Sequence, residues 1–278
     1  ASGIDWTTVR EFWAFRPLAG TVPPGAQIPR QGNGIDYFLE PHRQEAMVTP
    51  AEVASRRQLI RRVTFGLLGL PPTREQITQF LADEKPQAYQ RLVERLLATP
   101  QYGEHWGRSW LDVVRYADSN GADENKAYPL AYHYRNYVIE AFNQDRPFDE
   151  FLREQVAGDL LPDEGDLAVR NRHITATAFL ALGIKIAAEQ DQEKKRADII
   201  DEQIDVISRA MLGLTVACAR CHDHKFDPIP TADYYAMAGV LRSTKLETRA
   251  LTDPRQAALN AKMAGLEQRL ETVRKGAE

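Results

Sequence analysis

Residues 198–222 read DIIDEQIDVISRAMLGLTVACARCH, and this stretch predicts both the fold class and the position of a site. Its apolar residues recur every three or four positions, the spacing of one face of an α-helix. This stripe runs on toward Val216 and Cys218 and comprises Ile200, Ile204, Ile207, Met211 and Leu214. We expect the charges on the other faces to be solvated or paired, namely Asp198, Asp201, Glu202, Asp205 and Arg209. The sequence therefore predicts a long amphipathic helix that leads directly to the two cysteines.

The only two cysteines, Cys218 and Cys221, are followed directly by His222. A Cys-x-x-Cys-His string is the attachment signature of a c-type haem, in which the thiols bond the porphyrin and the histidine ligates the iron. A disulfide, a thioredoxin-like redox pair, or a zinc ion held with His222 and His224 would use the same residues. Haem is favoured over zinc, because zinc ligands crowded into residues 218–224 would need an unusually tight loop.

Helical spacing also recurs through most of the remaining chain. We expect a short helix near residue 33, a helix around Leu59 that ends before Gly69, and another that Thr73 caps. Further helices are predicted over 89–97, 102–116, 132–143, 148–156 and 231–241. The helix over 102–116 is expected to be largely buried. Residues 172–186 favour a helix over a strand. No segment requires a sheet, so the predicted fold is all-α, a large single helical domain.

The two ends of the chain differ from this middle part. Residues 1–34 are rich in Pro and Gly and predict an irregular wrapping segment anchored by Trp6, Phe12, Trp13 and Phe15. Residues 249–278 predict a C-terminal helix with heptad-like spacing of Leu259, Met263, Leu266, Leu270 and Val273. The main domain is expected over 35–248. We also expect the chain to be a processed or excised piece of a larger protein.

The composition excludes several classes of function. The 278 residues are 43% hydrophobic and 27% charged, which is ordinary for a soluble globular protein. A formal charge of −4 provides no basic field that would gather nucleic acid. No apolar run approaches the length of a transmembrane helix, so no membrane span is expected in this part of the protein.

Four ordered strings resemble the planctomycete cytochrome C family of the PSCyt2 type, also called DUF1549. They lie at residues 69–73 (GLPPT), 110–118 (WLDVVRYAD), 157–162 (AGDLLP) and 212–229, which contains the Cys-x-x-Cys-His string. The similarity extends over about residues 35–245. The resemblance implies a haem-bearing domain within a large exported multidomain protein, next to a smaller cytochrome-like module, and a reaction that is not established.

The resemblance, together with the positions of nearby residues in the chain, gives candidates for holding one covalent haem c. Cys218 and Cys221 would hold the porphyrin, and His222 would be the proximal iron ligand. Arg209, Arg220 and Lys225 would supply positive charge to the propionates and the haem edge. His224 lies too close to His222 in sequence to reach the opposite face, so it is a candidate for a hydrogen bond that supports the ligand, for a propionate contact or for a ligand of another metal. Met237 is the distal-ligand candidate.

Three functions remain open from the sequence. The first is electron transfer to a redox partner or a neighbouring cytochrome-like module, by a domain rather than a stand-alone enzyme. The second is a catalytic haem with an open sixth position for small-ligand or peroxide chemistry, with a pocket lined by Asp118, Tyr134, Arg135 and Asp159. The third is a zinc-stabilised interaction module without haem. Because haem attachment operates outside the cytoplasm, we expect a periplasmic or otherwise extracytoplasmic protein.

Overall fold

The computed structural model describes residues 5–17, 34–122, 124–186 and 188–251, together with six residues between 262 and 269. Within these ranges the chain forms α-helices joined by short loops and 3₁₀ turns, and the prediction of an all-α fold is confirmed. The strand-like pairing seen in the described part is a single isolated bridge between Ser119 and Ala127.

The N-terminal region contributes two helices. Helix α1 (Trp6–Arg10) begins at Asp5, whose carboxylate accepts hydrogen bonds from the first backbone N–H groups, and α2 spans Gly34–Glu45. Between them Phe12 contacts Trp13 and Phe15, yet all three side chains are exposed, Trp13 by 76%. The prediction that they anchor a wrapping segment was therefore wrong, since they pack on one another. The side chain of Trp6 lies outside the described residues.

Three helices form the first packed unit: α3 (Arg56–Leu68), α4 (Arg74–Ala82) and α5 (Ala88–Leu97). Thr73 caps α4 as predicted, in a reciprocal capping box with Gln76, and Ser55 does the same for α3. The shared core consists of Ile60, Leu68, Phe80, Ala88, Leu92 and Leu96. Tyr102 of the next helix packs against this core and joins the unit to the rest of the chain.

The central unit comprises α6 (Pro100–Val113), α7 (Tyr132–Asn143), α8 (Phe148–Ala157) and α9 (Leu167–Ala176). Helices α6 and α7 approach closely at Gly103, where an added Cβ would lie 2.3 Å from the carbonyl oxygen of Ile139. The prediction that α6 is largely buried was wrong, because Trp106 is 40% exposed and Val113 is also exposed. Segment 172–186 is not one helix: α9 is followed by a 3₁₀ turn, Thr177–Leu180, and then by loop.

A network of charged and polar side chains is buried in the central unit. The Glu154 carboxylate accepts hydrogen bonds from Tyr137 Oη at 2.8 Å, Arg146 Nη1 at 2.5 Å and Arg172 Nε at 3.0 Å. Burial opposes the ionisation of Glu154, but these donors outweigh it and hold the pKa of Glu154 below its usual value. Burial also lowers the pKa of His173, which lies next to Glu154. The network thus keeps a buried carboxylate charged.

The last unit comprises α10 (Gln192–Ile207) and α11 (Thr231–Leu241). The apolar stripe does not form one α-helix to Leu214: α10 ends at Ile207 and continues as a π-helical turn, Ser208–Leu212. Gly213 then adopts a left-handed conformation, with φ of 66°. This wider turn and its glycine cap redirect the chain into the segment that holds the cysteines.

The predicted C-terminal helix lies mainly outside the described residues, including Leu259, Leu270 and Val273. Of its heptad positions, Met263 and Leu266 are described, and both are helical and exposed. Among the described helices, none combines the length and the apolar character needed to cross a membrane.

Candidate functional site

The Cys-x-x-Cys-His string begins on a short 3₁₀ helix, Val216–Arg220, and continues past its end, between a core cluster and solvent. Side chains three residues apart are nearly eclipsed in a 3₁₀ helix. Val216 and Ala219 consequently share the buried face, whereas Cys218 and Cys221, which follows the helix as its C-cap, share the exposed face. The cysteines are free thiols. The local geometry therefore presents both sulfur atoms on one accessible side.

His222 is also exposed. Its Nδ1 lies 2.8 Å from the carbonyl oxygen of Asp223. Because a carbonyl only accepts, Nδ1 is the donor, and in the neutral imidazole Nε2 keeps its lone pair. A neutral imidazole with Nδ1–H bonded to a backbone carbonyl is the form in which histidine ligates a metal through Nε2. The side chain thus has the donor atom expected of an axial ligand.

The backbone between the cysteines is held by contacts with two helices, α10 and α11. Arg220 bridges Asp198 at 3.0 Å and Asp201 at 3.2 Å, so its guanidinium faces back onto α10. The hydrogen bond that Arg220 donates to Asp198 is the main cause that raises the pKa of Arg220. From the other side, Tyr235 of α11 donates its hydroxyl proton to the Arg220 carbonyl at 3.2 Å. Arg220 therefore holds the segment in place, rather than standing free for propionates.

His224 is buried and uses both ring nitrogens. Nδ1 accepts hydrogen bonds from the backbone N–H groups of Asp227 at 2.8 Å and Phe226 at 3.3 Å. Nε2 lies 3.0 Å from the Oγ1 of Thr215, a residue that precedes the cysteines in sequence. Since Nδ1 accepts, Nε2 carries the proton and donates it to Thr215. The imidazole is occupied by the protein itself.

Arg209 and Lys225 both lie at the exposed rim of the segment. Arg209 Nε contacts Asp205 at 2.7 Å, and this carboxylate raises the pKa of Arg209. Cys218 contributes further to the raised pKa of Arg209. Lys225 Nζ lies 5.0 Å from the ring centre of Phe226, a side chain that is 79% exposed. Of the predicted cations, these two remain at the solvent side.

Met237 is brought to the inner side of the same unit. It packs with Ile207 and Leu214 against a buried cluster formed by Ile200, Ile204, Val216, Ala219, Ile229, Tyr234 and Leu241. The structure therefore places Met237 in the hydrophobic support beneath the cysteine helix.

A cavity of about 280 Å³ lies beside the segment and is lined by residues 184–186, Glu189, α10 and Ala217. Arg115 also lines this cavity and pairs with Glu202 at 2.8 Å and Asp205 at 3.2 Å. Its backbone adopts φ of 55°, a left-handed conformation that is unusual for a non-glycine residue. The sequence did not predict that Arg115 pairs with Glu202 and Asp205 of α10, although Arg115 lies within the 110–118 string.

The four residues proposed to line a substrate pocket lie outside the two cavities. Tyr134 is buried and bonds Gln155, Asp118 accepts from Tyr116, and Arg135 bonds its neighbour Asn136. Asp159 is exposed on a 3₁₀ turn. Neither the cavity beside α10 nor a second one of about 240 Å³, lined by Trp110, Phe148 and Phe151, includes any of these four residues.

The fold and site define an all-α domain that presents a Cys-x-x-Cys-His string on a solvent-facing 3₁₀ helix. The chain belongs to the PSCyt2 family, described as a protein of unknown function (DUF1549), whose sequence model matches residues 34–246. The expected family is thereby confirmed. No curated protein and no solved structure gives a significant match to the chain.

Proposed function

We propose that this chain is a c-type cytochrome domain that carries one covalent haem and transfers electrons. Cys218 and Cys221 would hold the porphyrin, and His222 would ligate the iron through Nε2. The observation that carries the proposal is the His222 Nδ1–Asp223 carbonyl contact of 2.8 Å, which leaves Nε2 as the nitrogen available for a metal, in an exposed residue directly after two exposed thiols. A haem supplies one-electron transfer at this face.

The surroundings of the cysteines support a bulky, partly apolar cofactor. Two large apolar side chains that flank the string in sequence, Leu212 and Phe226, are exposed. Arg209 and Lys225 add positive charge at the same rim, suited to the anionic propionates. Beneath them, Val216 and Ala219 are buried in the cluster shared with α10 and α11. This arrangement gives a rigid base with an open outer face.

Zinc receives less support than haem from the same residues. Both nitrogens of His224 are engaged, Nδ1 with backbone N–H groups and Nε2 with Thr215, so its use as a ligand would break these hydrogen bonds. Within the described ranges, no group of three or more His, Cys, Asp or Glu side chains is arranged to hold a metal ion. The Cys–Cys–His–His set is therefore not assembled.

A haem with an open sixth position is the second candidate. The observation that favours it is the placement of the distal-ligand candidate: Met237 is partly buried and packs against the apolar cluster beneath the cysteines. Binding of carbon monoxide by the reduced protein would indicate an open site, whereas an unchanged spectrum would favour two axial ligands and simple electron transfer.

The proposed haem also implies a location and an electron partner for the domain. Covalent haem implies an extracytoplasmic location, because the attachment system works there. The electron partner would be a separate redox protein or a cytochrome-like module of the same polypeptide. We propose residues 35–248 as the haem domain, with residues 1–34 and 249–278 as flanking segments.

The proposal is tested by producing the chain together with a haem-attachment system and recording its visible spectrum. The wild-type protein should show a Soret band, and the double variant Cys218→Ser, Cys221→Ser should lose the covalently held fraction of it. Ala232→Ser, at an exposed position of α11, is a matched control that adds the same hydroxyl and keeps both thiols. A wild-type protein without any Soret band would contradict the proposal.

A further inference from the structure

The loop between the cysteines and α11 is closed by hydrogen bonds that converge on His224. His224 is only 5% exposed, and its backbone N–H donates to the Ile229 carbonyl at 2.9 Å. On the imidazole, Nδ1 accepts from Asp227 and Phe226, and Nε2–H reaches Thr215. One ring thus joins the residue that precedes the 3₁₀ helix to the loop that follows His222.

The partners of the neighbouring residues fix the same loop. The Asp223 carboxylate accepts a hydrogen bond from the backbone N–H of Thr231 at 2.8 Å, at the start of α11. The Ile229 N–H donates to the Asp227 carbonyl at 2.8 Å. Arg220 and Tyr235 hold the segment before His222, so that residue lies between two anchored stretches of backbone.

The position of His224 requires a side chain that both accepts and donates a hydrogen bond. An apolar side chain would leave the N–H groups of Phe226 and Asp227 without their acceptor, and buried polar groups that lose a partner are costly. A neutral histidine supplies an acceptor and a donor on opposite sides of one rigid ring. It can therefore span from the loop to Thr215, which a shorter side chain does not reach with both atoms.

We propose that His224 is a positioning residue for His222. The bridge from Thr215 through the His224 ring to the Phe226 and Asp227 N–H groups fixes the backbone at Asp223, whose carbonyl sets the tautomer of His222. The existence of the bridge is independent of the haem. Its consequence for iron ligation rests on the proposed function.

Three substitutions separate the two ends of the bridge. Thr215→Val removes the hydroxyl with little change of shape. His224→Asn keeps an acceptor near the position of Nδ1 but does not reach Thr215, so it should match Thr215→Val, and the double variant should be no worse than either. His224→Gln can still reach Thr215 but withdraws the acceptor from two backbone N–H groups, so its effect should be the largest.

Two readouts report on His222 rather than on stability. In the haem-loaded variants of Thr215 and His224, the axial-ligand bands of the electronic and resonance Raman spectra should show loss of His222 ligation, while the denatured chain keeps its covalent haem mass. In the same variants without haem, the ¹⁵N shifts of His222 should change from those of a fixed Nδ1–H tautomer to an average of both tautomers. His42→Asn, an exposed histidine of α2, is the matched control for the substitution.

A merely structural role for His224 predicts a different result. Ile60→Val, in the fully buried core of α3, lowers the melting temperature at a remote site and should leave both His222 readouts unchanged. If His224→Asn and His224→Gln behave like Ile60→Val, the positioning role is overturned. If the wild-type chain carries no haem, the proposed function fails, and the ¹⁵N measurement still decides whether the bridge fixes His222.

Discussion

At the residue scale, Glu154 shows how this protein keeps charge in its interior. The carboxylate is 4% exposed and is shared by Tyr137, Arg146 and Arg172, which come from α7, the α7–α8 loop and α9. Removing one partner of a buried ion pair leaves the other charge uncompensated, which costs more than the pair itself contributes. The network therefore makes the packing of these elements depend on a single side chain.

Replacing this carboxylate tests that dependence. Glu154→Gln should lower the free energy of unfolding by about 3–5 kcal/mol, since it strands the charge of Arg146 in the interior. Chemical denaturation followed by circular dichroism measures the difference. The exposed Glu150→Gln of the same helix should change it by less than about 1 kcal/mol. Equal losses in the two variants would contradict the assignment.

The same variant has a defined pH dependence. Burial acts to raise the pKa of Glu154, but Tyr137 and Arg146 together lower it below the ordinary value of 4.5. The stability that ionised Glu154 contributes is therefore fully present above about pH 4.5, and it is lost as the pH falls through the lowered pKa. The gap between wild type and Glu154→Gln should be constant from pH 7 to near 4.5 and narrow below. A gap that widens in acid would show that the sign is wrong.

The sequence predicted part of the site at this scale. The Cys218–Cys221–His222 spacing is a local property, so it could be recognised without a fold. The partners of Arg220 and His224 could not, because Asp198 and Thr215 reach them through tertiary packing. Arg220 was expected at the haem edge, and the structure instead gives it two carboxylates on α10.

At the element scale, the helices follow their local signals closely, and the exceptions have local causes. Thr73, Gly69 and Pro100 mark real helix boundaries. The stripe through Met211 overestimated the length of α10, because a spacing of three to four residues does not reveal a π-helical turn. That turn re-aims the chain just before the cysteines, so its placement matters for the site.

The α6–α7 contact gives a test of packing at this scale. Gly103→Ala places a methyl group 2.3 Å from the Ile139 carbonyl oxygen, a backbone atom that cannot move aside cheaply. We expect a loss of about 3 kcal/mol in unfolding free energy. Gly66→Ala in α3 is the matched control: no atom lies within 4 Å of the added Cβ, so it should stabilise by about 0.5–1 kcal/mol. Stabilisation by both substitutions would refute the close approach.

At the scale of the whole molecule, shared residues connect the three core clusters. Tyr102 of α6 packs against the α3–α5 core. Ile207 of α10 packs both against the central cluster and against the cluster beneath the cysteines. The helix that leads to the site is thus part of the central core, which gives the exposed thiols a rigid foundation. Sequence periodicity predicted the helices but not which of them share a core.

This connectivity predicts an independent folding unit. A chain restricted to residues 34–251 contains all three clusters and should keep its helical circular dichroism spectrum and a cooperative thermal transition close to that of the full chain. A chain that ends instead at residue 207 lacks α11 and the cysteine segment, and its thermal transition should lose cooperativity. Loss of the transition in the 34–251 chain would show that a flanking segment completes the core.

The central claim is that the exposed face of the 3₁₀ helix carries a covalent haem. Mass spectrometry of the intact, denatured chain after production with a haem-attachment system tests it most directly. The wild-type mass should be increased by one haem, and this increase should persist under denaturation and disappear in the Cys218→Ser, Cys221→Ser variant. An unmodified wild-type mass under the same conditions would contradict it.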